Sequence, residues 1–308
     1  MKIVDFRVGD DKVVKMYIWD EIRVRPKGVV QLVHGMAEHM GRYHNFAKFL
    51  NKNGYYVYGT DHRGCGLNVD MEHLGWDEGD MWENDLSDQL RLTEYIKIQH
   101  GDLPIVVLGH SYGSFLTQAY MPYNKHASAF ILSGSSFMKG ADVSFGRFLS
   151  GWMYRRHGDF VRAKLIFKLT FGSYQNKMNG NGSWLTSDAA EAEKYKKDPR
   201  CGYVCSTNFY KWFFIGLKSL YTKEYAQKLN KDLPVYIYSG SDDQVGKNGK
   251  GVTKLYNYYK DVGVKDLSLK LYEGGRHEML NEVNRDEVYD DVLAFLDRVT
   301  ASSGQASV

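Results

Sequence analysis

Apolar residues along this chain recur with two periods, one suited to strands and one to helices. Ile3 to Val8 and Val13 to Trp19 alternate apolar and polar positions and are separated by Gly9-Asp10-Asp11, which predicts an antiparallel hairpin at a sheet edge. Six shorter, nearly continuous apolar runs follow: Val29–Val33, Tyr55–Tyr58, Ile105–Leu108, Ala129–Leu132, Val235–Tyr238 and Leu267–Tyr272. Each fits a strand buried on both faces. Arg42 to Asn53 reads as a helix stopped by Gly54, since glycine accepts the left-handed conformation a helix end needs. Met81 to Gln99 sets Trp82, Leu86 and Leu90 four apart, with acids early and basic residues late, in accord with the helix dipole. Val288, Val292, Phe295, Leu296 and Val299 form the most regular apolar stripe and predict a final helix.

Strands alternating with helices predict an α/β protein: a mostly parallel, eight-stranded sheet with helices on both faces and its sites at the carboxyl ends of the strands. Residues 137–232 break the alternation. They hold helical stretches between two predicted core strands and are expected to form an inserted helical cap. The expected organisation is a core segment over 1–136, the cap over 137–232, a second core segment over 233–300 and a flexible polar tail over 301–308.

A chain of 308 residues with 43% hydrophobic content can bury a sizeable core. No apolar run reaches the ~18 residues of a membrane span, and Met1 to Trp19 lacks the continuous apolar stretch of a signal peptide, so a soluble cytoplasmic protein is expected. The net charge of +3 is too small to suggest a nucleic-acid partner. It is unevenly spread, because residues 139–168 carry seven Lys/Arg against two acids. Cys65, Cys201 and Cys205 read as reduced thiols. Cys201 and Cys205 are four apart, but no second Cys/His pair lies nearby in sequence, so no metal site is expected.

Chemistry concentrates after the predicted strands. Gly109-His110-Ser111-Tyr112-Gly113 is a G-x-S-x-G string between an apolar run and a helical pattern, the strand–turn–helix setting that lifts a serine hydroxyl clear of a sheet. A serine hydroxyl is a poor nucleophile at neutral pH and needs a base, which in turn needs an acid to hold its tautomer. His277 follows the last predicted core strand and is the expected base, while His110 is expected to point away from the serine as a packing residue. Asp242 and Asp243 both follow Val235–Tyr238, and either carboxylate can serve as the acid. Backbone amides of Tyr112, next to the nucleophile, and Met36, in the loop after Val29–Val33, are the expected oxyanion donors.

Five strings in order, His34-Gly35-x-x-Glu38-His39-x-x-Arg42-Tyr43, Asp61-x-x-Gly64-x-Gly66, Gly109-His110-Ser111-x-Gly113-Ser114, Gly240-x-x-Asp243-x-Val245 and Arg276-His277-Glu278, resemble the monoacylglycerol lipase and lysophospholipase branch of the α/β-hydrolases, the serine aminopeptidase S33-like family. The resemblance covers both core segments and is loose in the cap. It implies the α/β-hydrolase fold, selects Asp243 over Asp242 and implies cleavage of monoacylglycerols, lysophospholipid-like or other single-chain acyl esters without metal or organic cofactor. Gln244 departs from the Pro or Arg common there. A short-chain or aryl carboxylesterase, or a small-amide peptidase, would use the same three side chains, whereas a non-catalytic binding module would hold a ligand without turnover. In the cap, Phe145, Phe148 and Trp152, with neighbouring arginines, are candidates for lining an acyl site and for peripheral membrane contact.

Overall fold

A computed structural model describes residues 1–303 apart from Asn179 and Asn181. Its strands are β1 Lys2–Arg7, β2 Val13–Trp19, β3 Gly28–Val33, β4 Tyr55–Thr60, β5 Ile105–His110, β6 Ala127–Ser133, β7 Val235–Gly240 and β8 Leu267–Tyr272. They form one eight-stranded sheet in the order β1-β2-β4-β3-β5-β6-β7-β8. β1 and β2 are antiparallel, β2 also runs antiparallel to β4, and β4 through β8 are mutually parallel, as the alternation of strand and helix predicts.

The apolar runs look continuous in sequence, yet their side chains divide by alternate residues between two cores. Val30, Leu32, Val106, Leu108, Ile131 and Tyr238 face one side, where α1 (His44–Lys52) and the C-terminal helix Arg285–Ser303 cover them through Phe46, Leu50, Val292 and Leu296. Val33, Val107, Phe130, Leu132 and Ile237 face the other, against α2 (Met81–His100) and α3 (Tyr112–Tyr120). Asp80 caps α2 by accepting the Glu83 N–H at 3.0 Å, and the predicted stripe of the last helix is buried throughout.

Three expectations need adjustment. The helix expected from Arg42 begins at His44, after a 3-10 turn over Met40–Tyr43. β8 is an edge strand in which Tyr272 alone is buried, because it has no neighbour on its far side. Ala301 to Ser303, expected in the tail, close the last helix, and residues 304–308 lie outside the described residues.

Between β6 and β7 the chain leaves the sheet. This segment carries α4 (Ala141–His157), α5 (Lys164–Phe167), a π-turn over Lys168–Gly172, α6 (Ser173–Lys177), α7 (Ala189–Lys197), α8 (Thr207–Ser219) and α9 (Lys223–Lys228). After β7 come α10 (Lys250–Asp261), β8 and then α11 (Arg285–Ser303). Among the described residues no helix is long and apolar enough to cross a membrane.

Candidate active site

Ser111 stands between β5 and α3 at φ +53°, ψ −117°, a conformation that side-chain-bearing residues rarely adopt. Its neighbours make the turn possible. A Cβ on Gly109 would meet Thr117 Oγ1 at 2.2 Å, and one on Gly113 would meet the Val33 carbonyl at 2.1 Å. The turn is fixed by the Ser111 N–H donating to the Ser133 carbonyl at 2.9 Å, and by the Ser111 carbonyl accepting the Ser114 N–H at 2.9 Å and hydroxyl at 2.6 Å. The serine is thus held in a strained turn by its own backbone.

His277, in the loop after β8, places Nε2 2.8 Å from Ser111 Oγ and Nδ1 3.0 Å from Asp243 Oδ1. Asp243 follows β7 and is fully buried; Oδ1 also accepts the Val245 N–H at 2.9 Å, and Oδ2 the Ser239 hydroxyl at 2.7 Å. Burial alone would raise this carboxyl, but the His277 charge and these hydrogen bonds hold it below its ordinary value. An ionised carboxylate only accepts, so the His277 proton sits on Nδ1 and leaves Nε2 to accept from Ser111. Burial likewise would lower His277, and the Asp243 carboxylate outweighs it, raising the imidazole above its ordinary value with help from Glu278 and Glu38. Asp242, the alternative in the sequence, is exposed and its carboxylate accepts from Ser241 instead.

Met36 and Tyr112 line the same cavity as Ser111, and among the described residues neither amide has an acceptor. Tyr112 is further held through its ring, its hydroxyl donating to Asp85 at 2.9 Å. Asp85 is buried, and that burial, reinforced by Asp88, pushes its carboxyl well above the ordinary range. The cavity measures about 320 Å³ and is mostly apolar, with Phe115, Leu149, Leu169, Phe213 and Leu217 in its wall. Phe145 lines it, whereas Phe148 and Trp152 do not and stand 66% and 47% exposed.

The structure adds groups around Ser111, His277 and Asp243 for which the sequence supplied no role. Arg42 Nη1 donates to Glu38 at 2.5 Å and Glu278 at 2.8 Å, while Nη2 donates to Glu278 at 2.6 Å. Glu38 also accepts the Gly35 N–H at 2.5 Å and the Tyr43 hydroxyl at 2.9 Å. One buried guanidinium thereby ties the loop carrying Met36 to the loop carrying His277. The i, i+4 spacing of Glu38 and Arg42 was the available signal, but the third partner lies far along the chain. Trp184, from the inserted segment, packs on His277 with ring centroids 5.2 Å apart. His110 corrects an expectation: its ring is buried as a packing residue but lies 4.9 Å from His277 rather than turned away, and burial lowers its pKa to about 4.

Residues 24–284 match the family model described as serine aminopeptidase, S33. A monoacylglycerol lipase of Mycolicibacterium smegmatis is 29% identical over 277 residues, spanning 88% of this chain and 88% of that protein. The monoglyceride lipase of Homo sapiens is 23% identical over 92% of this chain and 86% of its own length. Among solved structures, a highly thermostable carboxyl esterase from Bacillus coagulans, in complex with glycerol, aligns with a TM-score of 0.87 and 26% identity, covering 97% of this chain and 98% of that one.

Proposed function

This chain belongs to the serine aminopeptidase S33 family of α/β-hydrolases, and from that membership and the site geometry we propose that it is a carboxylic ester hydrolase acting on monoacylglycerols or lysophospholipid-like single-chain acyl esters. The observation that carries the proposal is the unbroken chain of contacts from Ser111 Oγ through His277 to Asp243, at 2.8 and 3.0 Å. Ser111 attacks the ester carbonyl carbon and its proton passes to His277 Nε2. Negative charge then develops on the carbonyl oxygen, where the Met36 and Tyr112 amides donate to it. The C–O bond to the alcohol breaks as His277 returns the proton to the leaving oxygen, and the acyl group remains on Ser111. Water, giving a proton to His277, adds to the acyl carbon, and the bond to Ser111 Oγ breaks as His277 returns that proton to the serine, releasing the acid and restoring the site. No metal or organic cofactor takes part in this sequence.

The apolar cavity beside Ser111 supports an acyl chain rather than a charged substituent as the bound group. The names of the M. smegmatis and human relatives support a glycerol ester as its class. We assign the inserted residues 137–232 the role of a cap over this cavity. Exposed Phe145 and Leu169 border the cavity, and exposed Phe148, Trp152, Arg155, Arg156, Lys164 and Lys168 share their segment. Apolar rings flanked by cations suit peripheral contact with anionic lipid, and that contact is part of the proposal.

A panel of 1-acylglycerols, lysophospholipids and p-nitrophenyl esters of graded chain length tests the substrate class. The proposal expects kcat/KM to rise with acyl length until the cavity is full; a maximum at acetyl or aryl esters would replace it with a short-chain carboxylesterase. Liposome flotation with and without anionic lipid tests the membrane contact, and absence of binding to both removes it.

A further inference from the structure

On the surface beside the Arg42 network, three ligand-type side chains from distant parts of the chain meet. His39 Nε2 lies 2.9 Å from Asp198 Oδ2, and the ligand atoms of His39, Asp198 and Cys201 all fall within 4.8 Å of one another. We propose that these three residues form a binding site for one zinc-class divalent cation, pinning the inserted segment to the loop after β3.

The scaffold is built before any ion arrives. Asp198 ends α7, and a tight turn closes behind it, with the Cys201 N–H donating to the Asp198 carbonyl at 3.0 Å and the Arg200 N–H to Asp198 Oδ1 at 2.9 Å. That turn points the carboxylate and the thiol the same way. It is docked to the core through the Gly202 N–H and the Tyr195 hydroxyl, which donate to the Ala37 carbonyl at 2.9 and 3.0 Å. Zinc holds nitrogen, oxygen and sulfur ligands at about 2.0–2.3 Å, so tetrahedral partners sit roughly 3.3–3.8 Å apart. Closing from the observed spread takes about 1 Å of side-chain motion.

The donor set decides the metal. One imidazole, one carboxylate and one thiol suit zinc and not magnesium or calcium, which take oxygen alone. Three protein ligands leave a fourth position for water, and His39 and Asp198 open onto a polar cleft of about 240 Å³. Burial above all, with the carboxylates of Glu38, Asp198 and Glu278 adding to it against the Arg42 guanidinium, holds the Cys201 thiol above its ordinary value, so an incoming cation has to displace its proton. On binding, the thiol proton leaves to solvent and His39 coordinates through Nε2 with its ring proton on Nδ1.

Untagged full-length chain with reduced thiols, titrated with Co²⁺, is expected to bind one equivalent and develop a thiolate-to-cobalt charge-transfer band that Zn²⁺ abolishes and excess Mg²⁺ or Ca²⁺ does not. Cys201→Ser should lose the band, and both that variant and His39→Gln should bind Zn²⁺ at least about tenfold more weakly. Cys205→Ser, a change at a buried thiol outside the cluster, should bind as wild type. Asp198→Asn provides a further variant should one fail to fold, as read by circular dichroism. Absence of stoichiometric Co²⁺ binding to the wild-type chain, an undiminished band in Cys201→Ser, or displacement by Mg²⁺ or Ca²⁺ would overturn the site. None of these readings depends on ester hydrolysis.

Discussion

Replacing Asp243 by Asn separates two roles that a supporting acid usually performs together: holding the base's tautomer and supplying charge. An amide presents one acceptor and one donor, so the outcome depends on which way it turns. At the Oδ1 position both neighbours are donors, Val245 N–H at 2.9 Å and His277 Nδ1 at 3.0 Å, whereas the neighbour of Oδ2 is the Ser239 hydroxyl at 2.7 Å, which can turn and accept. The amide oxygen therefore faces His277, the amide nitrogen faces Ser239, and the tautomer survives. What is lost is the charge in a charge-assisted hydrogen bond, about 1.5–3 kcal/mol, or roughly 10- to 150-fold in rate. A misoriented base would cost about 10⁴-fold. Asp243→Ala, which leaves the Val245 N–H and His277 Nδ1 without an acceptor, should approach that larger loss. The assay is kcat/KM for a soluble p-nitrophenyl ester across pH. In Asp243→Asn the acid limb should also move to lower pH, because the carboxylate that raises His277 has gone. Equal losses in the Asn and Ala variants, with both folded, would refute the argument.

Other consequences follow from particular contacts. Gly113→Ala drives a Cβ to within 2.1 Å of the Val33 carbonyl, backbone that cannot turn aside, so it should destabilise by about 3 kcal/mol or more, read as a lower midpoint in urea. Leu149→Trp fills part of the cavity beside Ser111 and should lower kcat/KM for long acyl chains about tenfold while leaving acetyl esters near wild type. Glu278 is a buried carboxyl that burial alone would raise, yet Arg42 holds it at about 2, below its ordinary 4.5. A depressed carboxyl adds stability that is present above its unfolded value and lost as pH falls through the folded one. Melting temperatures should therefore drop between roughly pH 4.5 and 2, and in Arg42→Met, where burial alone then raises the Glu278 carboxyl, that contribution should reverse sign, with the loss of stability relative to wild type largest near neutral pH and smallest at low pH.

What the sequence disclosed and what it withheld follow from the range of the interactions. The strained serine turn was legible because its requirements are local: two glycines, an apolar strand before and a helix after, within a few residues. The final helix was legible because its buried stripe follows its own period. Asp243 and Asp242 share one strand end and their neighbours in sequence; the family pattern chose between them, and burial separates them in the structure. β8 looked like a central strand since its own residues do not encode its place at the sheet's edge. The Arg42 bridge between Glu38 and Glu278, the packing of Trp184 on His277 and the meeting of His39 with Cys201 join residues more than ninety positions apart. Periodicity carries no information about such pairs.

The relay between Ser111, His277 and Asp243 is tested most directly by intact-protein and peptide mass spectrometry after reaction with a fluorophosphonate. One adduct per chain, mapped to Ser111, absent in Ser111→Ala and slowed at least about 10³-fold in His277→Ala, is the predicted result. A wild-type chain that stays unlabelled, or an adduct that maps to another residue and persists in Ser111→Ala, would contradict it.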